Sequence, residues 1–339
     1  MREQSNLTDV LIKETLYNCY GLLIEAVAFL PIGNDSATFV YQAVAVDGAS
    51  YFLKVRTLTG FGAPSIVIPR FLSEQRVPHI VTPMMTQNQA LWVEMDGFVL
   101  TLYPFIDART ATEVGLSDEQ WGALGTALRQ IHMSRLPTGL QQIVLREPFV
   151  PSRRNVLTQL GQVMGQDDLV DPAQIALRAF WQARQDDIQL LIERADTLGA
   201  ELRQAPLPHV LCHADIHTWN VLLDSKQQMW IVDWDEVIQA PKERDLMFVI
   251  GGIASNLVSA HQTTCFLQGY GETDINLRAL AYYRYAWAVQ EMGAYAEDVF
   301  FSPQRSEQTH LDSVNAFIDV FAPGNIAAIA CASNNGLHV

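Results

Sequence analysis

Between residues 211 and 223, LCHADIHTWNVLL, two histidines, an aspartate and an asparagine fall within eight positions: His213, Asp215, His217 and Asn220. Residues of these types at this density suit a metal cage, a general base or a polar piece of core. The strand-like runs NVLLD and MWIVDW flank a polar turn at 225–228, the pattern of a hairpin. Pairing Asp224 with Met229 places Asn220 opposite Asp233, so an amide oxygen and a carboxylate meet at one end of that hairpin. Hard oxygen donors of this kind suit Mg²⁺, which keeps waters and takes phosphate oxygens as its other ligands. Asp215 lies five residues before Asn220, on the approach to the first strand. It sits beside such a metal without having to bind it, and a free carboxylate there accepts a proton from an attacking hydroxyl. Asp235 is two residues beyond Asp233, on the same face of an extended strand. It is thus a candidate for the metal or for a cationic substrate, or it solvates a cleft.

Two stretches of different habit must position these groups. Up to residue 105 the chain is strand-rich. TFVYQAVAV and SYFLKV are β-branched and aromatic runs split by the turn signal Asp47-Gly48. VTPMM, ALWVEM and FVLTLYPF follow as further short strands, with Asp96-Gly97 as a second hairpin turn. Helices are expected over 7–19 and 64–76, the second with Pro64 at its start and a kink or shortening at Pro69. Beyond YPF, the segment SDEQWGALGTALRQIH opens with a Ser117/Gln120 capping box and continues with helical apolar spacing. Residues 172–203, 243–260, 277–300 and 308–321 also read as helices, and only the hairpin reads as strand. The pattern predicts an α+β chain of two lobes, a β-rich lobe over 1–105 and a mainly helical one over 106–339.

The chain has 339 residues, 49% hydrophobic and 17% charged, in the range of a globular protein with two lobes. Its formal net charge of −15 disfavours nucleic acid or an anionic membrane as partner. The charge is uneven: residues 1–105 carry 6 basic and 9 acidic side chains, and 106–339 carry 16 and 28. A cleft walled by the second stretch would attract a cation, so a small cationic molecule is the expected substrate. Cys19, Cys212, Cys265 and Cys331 are scattered, which argues against a disulfide framework or a structural zinc site. MREQSNLTDVLIKETL is polar and mixed in charge, unlike a signal peptide, and no apolar run reaches the length of a membrane span. The expectation is a cytoplasmic protein, monomeric or weakly dimeric.

The spacing His213-x-Asp215-x4-Asn220 followed by Asp233 resembles the catalytic loop and metal-binding segment of kinases. The stretch CHADIHTWNVLL…IVDWDEVIQAPKERDL resembles the aminoglycoside phosphotransferases, a branch with the protein-kinase-like fold, and within it the spectinomycin phosphotransferases. The resemblance implies an ATP- or GTP-dependent, Mg²⁺-requiring transfer of the γ-phosphate to a hydroxyl of an aminoglycoside or aminocyclitol. It implies Asp215 as base, Asn220 and Asp233 as metal ligands, and Lys54 on the nucleotide phosphates. Tyr103 to Ile106, including Phe105, would form a hinge that reads adenine. The turn GNDSA, with Asn34, Asp35 and Ser36, would cover the phosphates. His213 would brace the loop, with Arg244-Asp245 as a salt-bridged support beneath it. His217 and Trp219 would pack, and Cys212 would be a small buried hydrophobe. Glu291, Glu297 and Asp298 are candidates for amine contacts.

One position departs from the pattern. Kinases pair the strand lysine with a helix glutamate, but Gly62-Ala63-Pro64 stands where that acid is expected, and the nearest acid downstream is Glu74. Either Glu74 or an upstream residue substitutes, or the pair is absent. Other readings are a kinase of a macrolide, choline, homoserine or sugar, or a nucleotide-binding pseudokinase. A zinc hydrolase built on His213, Asp215 and His217, and a glycosyltransferase using Asp233-Trp234-Asp235, leave more of the pattern unexplained.

Overall fold

The computed structural model describes residues 5–32, 37–165, 169–205, 207–303 and 305–333. The amino-terminal part holds α1 (Asp9–Tyr20), β1 (Ile24–Leu30), β2 (Thr38–Ala45), β3 (Ser50–Thr57), α2 (Pro64–Glu74), β4 (Val93–Met95) and β5 (Phe98–Pro104). Its strands form an antiparallel sheet in the order β1-β2-β3-β5-β4. Both Asp-Gly turns stand as expected. Gly48 has φ +87° and the Asp96-Gly97 pair φ +48° and +81°, which only a turn with left-handed residues allows. Thr8 caps α1 at its start and Gly21, at φ +72°, ends it.

VTPMM is not a strand. Pro83 has no N–H to give a ladder, and the segment instead lies along β5, where the Met84 N–H donates to Leu102 O at 2.7 Å. Helix α2 runs through Pro69 and ends at Glu74, two residues before the expected end.

The remainder holds β6 (Ala108–Thr110), α3 (Ala111–Val114), α4 (Asp118–Met133), α5 (Thr138–Ile143), α6 (Arg154–Val163), α7 (Pro172–Ala183), α8 (Gln185–Arg203), β7 (Val210–Cys212), β8 (Val221–Asp224), β9 (Met229–Ile231), β10 (Ile238–Ala240), α9 (Glu243–Leu246), α10 (Ala260–Tyr270), α11 (Leu277–Phe301), α12 (Glu307–Asp319) and α13 (Ile326–Ala332). The Ser117/Gln120 capping box is present at α4. Two expected helices are broken. The 172–203 run breaks at Arg184 into α7 and α8. The 243–260 run is helical only over Glu243–Leu246, and Gly251 and Gly252, at φ +76° and +65°, keep the chain from continuing as one helix before Ser259 caps α10. Strands β6, β7 and β10, three residues each, are too short to leave a periodic signal.

Apolar residues form two cores. One joins α1 to the sheet through Leu7, Ile12, Leu16, Tyr41, Leu53 and Leu102. The other fills the helical part, and it includes Ile68 and Leu72 of α2. Thus α2, read from sequence as part of the first lobe, buries its apolar face in the second core. Within that core α4 and α10 meet backbone to backbone. A methyl added at Gly269 would fall 1.8 Å from Gly122 O.

Candidate active site

Strand β7 delivers the chain to His213, and β8 takes it away after Asn220; β7 is fixed in turn by antiparallel pairing with β10. The loop between them is held from below by a carboxylate. Asp245, fully buried, accepts hydrogen bonds from His213 N (3.0 Å), Ala214 N (2.6 Å) and His132 Nε2 (2.8 Å). Burial pushes its pKa up, but His132, His213 and the Ala214 N–H together outweigh this and hold the carboxyl below its ordinary value. That grip sustains Ala214 at φ +68°, a costly angle for a residue with a Cβ.

His213 is buried and braces the loop as expected, its Nε2 donating to Val232 O at 3.0 Å; burial lowers its pKa and keeps it neutral. The expected Arg244-Asp245 support is Asp245 alone. The Arg244 guanidinium lies over the rings of Tyr283 and Trp287 at 5.8 and 5.5 Å. Cys212 is buried, its thiol pushed up by burial, and it donates to Ala240 O.

Asn220 holds the candidate base. Its Nδ2 donates to Asp215 O at 2.9 Å and to Asp215 Oδ2 at 2.8 Å. Asp215 Oδ1 accepts no hydrogen bond from the described residues and stands 3.1 Å from His217 Nε2, in ion-pair contact. His217 is therefore more than loop packing. Burial alone would lower its pKa, but Asp215 raises it. The signal for this contact in sequence is only its i, i+2 spacing from Asp215 in a loop, and spacing does not set side-chain direction there.

The hairpin register differs from the expected one by a residue. Leu223 pairs with Met229 and Val221 with Ile231, so Asn220 lies opposite Val232, whose N–H donates to Asn220 O at 3.0 Å. The chain leaves the ladder after Ile231, and Asp233 takes φ +64°. Neither Asp233 nor Asp235 is in a strand, yet both reach Lys54. Lys54 Nζ is 3.0 Å from Asp233 Oδ1 and 2.7 Å from Asp235 Oδ2. Burial opposes the charge on Lys54 and on Asp233. The two carboxylates nonetheless raise the lysine, and the lysine lowers Asp233.

Asn220 Oδ1 and Asp233 Oδ2, which no hydrogen bond from the described residues occupies, are hard oxygen donors and fit Mg²⁺. The zinc reading has no such geometry. Among the described residues, the groups of potential ligands that converge are His132, Cys212 and Asp245, which are the loop's brace, and a second set of Asp118 and His261, exposed at the starts of α4 and α10, with the buried Cys265 of α10.

Glu74 is not the missing acid: it pairs with Arg70 on the surface. Lys54 instead has two carboxylates from the segment after β9. Asp235 also pairs with Arg56 through its other oxygen, so the cationic-substrate role expected for Asp235 is displaced. The pseudokinase reading loses the gap that motivated it.

Tyr103 and Phe105 lie at the end of β5, where the chain crosses to β6. The Tyr103 ring meets Phe52 edge-on at 6.3 Å, and burial pushes its hydroxyl up to about 12, so it stays neutral. The Phe105 N–H is spent on Ser50 O at 3.2 Å, so what it offers a ligand is its carbonyl. Asn34, Asp35 and Ser36 lie outside the described residues.

On α11, Glu291 accepts from Tyr295 Oη at 2.6 Å and feels both Asp215 and His217; burial raises its pKa. Glu297 and Asp298 are engaged elsewhere, with Arg153 and with Ser313 and Arg305. Trp219 is 45% exposed rather than packed in the core, with its ring against His217.

An antiparallel sheet with a lysine on its third strand faces a helical part carrying a His-x-Asp…Asn loop and a following aspartate. Together they define a kinase-like phosphotransferase with a hydroxyl acceptor. The chain belongs to the phosphotransferase enzyme family APH, whose model matches residues 64–284.

Spectinomycin phosphotransferase APH(9)-Ia, in a complex with ADP and spectinomycin, is 31% identical to it. That match covers 97% of this chain and 99% of that one, at a TM-score of 0.88. The AMP-bound complex of APH(9)-Ia matches at 31% identity, 96% and 99% coverage and a TM-score of 0.81. Amicoumacin kinase hAmiN, solved with AMP-PNP and Ca²⁺, shares the fold at 16% identity, 95% and 97% coverage and a TM-score of 0.62. No curated protein sequence matches the chain. None of its helices is long and apolar enough, among the described residues, to cross a membrane.

Proposed function

We propose that this phosphotransferase uses ATP or GTP with Mg²⁺ to phosphorylate a hydroxyl of a cationic aminocyclitol of the spectinomycin type. The observation that carries the reading is one constellation: Asp215 and Asn220 joined at 2.8 Å, and Asp233 joined at 3.0 Å to Lys54 from the opposite sheet. The aminocyclitol assignment rests on the 31% identity to an enzyme bound to spectinomycin, on the acidic helical part and on Glu291 beside the loop.

In this reading residues 1–105 hold the nucleotide and 106–339 the catalytic loop and acceptor. Lys54 exchanges Asp233 for phosphate oxygens. Tyr103 and Phe105 border the base. Asn220 and Asp233 would hold Mg²⁺, which when bound neutralises charge on the phosphoryl oxygens. Asp215, pinned through Oδ2 by Asn220, offers Oδ1 to the acceptor hydroxyl. It orients that oxygen toward the γ-phosphate and takes its proton as the O–P bond forms and the bond to the leaving nucleoside diphosphate breaks. Glu291 receives an ammonium of the acceptor.

The test is turnover with Mg²⁺ and ATP or GTP against spectinomycin, several aminoglycosides, a macrolide, choline and homoserine. Turnover of spectinomycin is expected. Turnover only of the macrolide, choline or homoserine would replace the aminocyclitol. Nucleotide binding without turnover of any acceptor would count against this acceptor class and for a metabolite outside the panel or a pseudokinase.

A further inference from the structure

The start of α2 lacks the acid that would hold the sheet lysine. Residues 62–64 are Gly, Ala and Pro, and Glu74 is turned to Arg70. A lysine without a fixed counter-ion is a flexible four-carbon stem that positions phosphate poorly. We infer that Asp235 takes over that role and is the positioning residue for Lys54, with Arg56 and Ser65 as the strut that ties it to α2. The inference rests on the reading above, in which Lys54 touches the nucleotide phosphates.

The geometry is specific. Lys54 and Arg56 are two apart on β3 and so lie on one face of the sheet. Asp235 spans them, with Oδ2 on Lys54 Nζ at 2.7 Å and Oδ1 on Arg56 Nη2. Asp233 is the looser partner of Lys54, at 3.0 Å, and its side chain is 41% exposed against 30% for Asp235. If Asp233 turns to a metal, Asp235 is the carboxylate that stays with the lysine. The buried Arg56 donates its Nη1 to Ser65 Oγ at 2.7 Å, and Ser65, in the first turn of α2, donates to Gly62 O at 2.8 Å. The helix that lacks the acid therefore reaches the lysine indirectly, through a hydroxyl, a guanidinium and a carboxylate. Each link is a hydrogen bond with a charged partner, and two of them join opposite charges. The arrangement also joins the two parts of the protein, because Asp235 belongs to the segment after β9 while Lys54, Arg56 and Ser65 belong to the amino-terminal part.

The test compares wild-type protein with Asp235→Asn, Asp235→Glu, Lys54→Ala and the Lys54→Ala/Asp235→Asn pair. It reads KM for ATP, KM for the acceptor, kcat, the Mg²⁺ dependence, and ATP affinity with Mg²⁺ chelated, with thermal unfolding as the check on folding. Asp235→Asn is expected to raise KM for ATP, and to weaken metal-free ATP binding, by roughly tenfold, the scale of one charge-assisted bond lost. Acceptor KM and the Mg²⁺ midpoint are expected to stay within about twofold. Asp235→Glu recovers part of the loss. In the Lys54→Ala background Asp235→Asn adds little, because both act through one contact.

A rise confined to acceptor KM would overturn the inference in favour of a substrate contact. A shift confined to the Mg²⁺ midpoint would overturn it in favour of a metal ligand. Independent, multiplying effects of the two substitutions would also overturn it. If the Asp235 variants do not fold, Ser65→Ala carries the test: a severalfold rise in KM for ATP is expected, and an unchanged value sinks the strut. Wild-type protein that binds no nucleotide overturns the kinase reading and this inference together. Wild-type turnover matched by Asp235→Asn overturns this inference alone.

Discussion

At the scale of single residues, the loop depends on a carboxylate that does no chemistry. Asp245 must be ionised to accept from His213 N, Ala214 N and His132 at once. Its folded pKa is depressed, so the unfolded chain takes up this proton more readily. The stability it contributes is complete above the ordinary aspartate value of about 3.9 and is lost as pH falls through the lower folded-state value. Asp245→Asn is expected to cost about 3 kcal/mol at pH 7, the scale of breaking a buried charged network. Denaturant unfolding at both neutral and acid pH checks this, and an equal loss at both would contradict it.

Asp215→Asn is expected to lower kcat by about 10²–10⁴ while nucleotide affinity stays nearly unchanged. Single-turnover kinetics with a nucleotide-displacement titration separates the two. Asp233→Ala is expected to weaken Mg²⁺-dependent nucleotide binding more than metal-free binding, and equal affinity in both conditions would contradict the metal role. The candidate base and its neighbours were legible because their types and spacing are tied to one loop. The Asp215–His217 contact and the pairing of Asp235 with Lys54 were not, because they depend on where side chains turn in a loop with Ala214 and Asp233 at positive φ.

At the scale of elements, the brace is built by two helices. α4 supplies His132 and α10 supplies Tyr270, whose hydroxyl meets His132 Nδ1 at 2.7 Å. Their close approach is possible because Gly122 and Gly125 of α4 face α10, where Gly269 faces back. Gly269→Ala inserts a methyl against Gly122 O and must push the helices apart. The expected loss is about 1–3 kcal/mol, with a lower kcat because His132 moves with α4. Thermal unfolding and steady-state kinetics on the same sample check it, and a variant as stable as wild type would show that the contact yields.

The glycines were visible in the sequence, but their meeting was not. Contact between helices more than a hundred residues apart depends on the turns between them. The same holds for the hairpin register. Val221 and Leu223 are buried, and burying that face of β8 sets the pairing one residue from the Asp224–Met229 guess.

At the scale of the whole molecule, the charge is gathered on the helical part, net −12 against −3 for residues 1–105. A cationic acceptor is drawn to that field and an anionic nucleotide is not. Raising salt from roughly 20 to 200 mM is therefore expected to lower kcat/KM for the acceptor severalfold. Kinetics at matched pH over that range checks this, and an insensitive acceptor kcat/KM would remove steering.

The two parts are also linked mechanically. Ile231 N donates to His79 O at 2.7 Å, and His79 Nδ1 meets Met229 O at 3.0 Å. The segment after α2 is thus stitched to the hairpin that leads to Asp233.

By itself the sequence determined the strand-rich and helical stretches, the hairpin turns and caps, the family and the residues of the loop. Each of these is written in local periodicity, turn chemistry or fixed spacing, which need no knowledge of distant chain. Only the tertiary structure decided which acid accompanies Lys54, which core α2 joins, and what supports Ala214. Lys54 and Asp235 are separated by more than half the chain, and the bond between them exists only once both parts have folded and met.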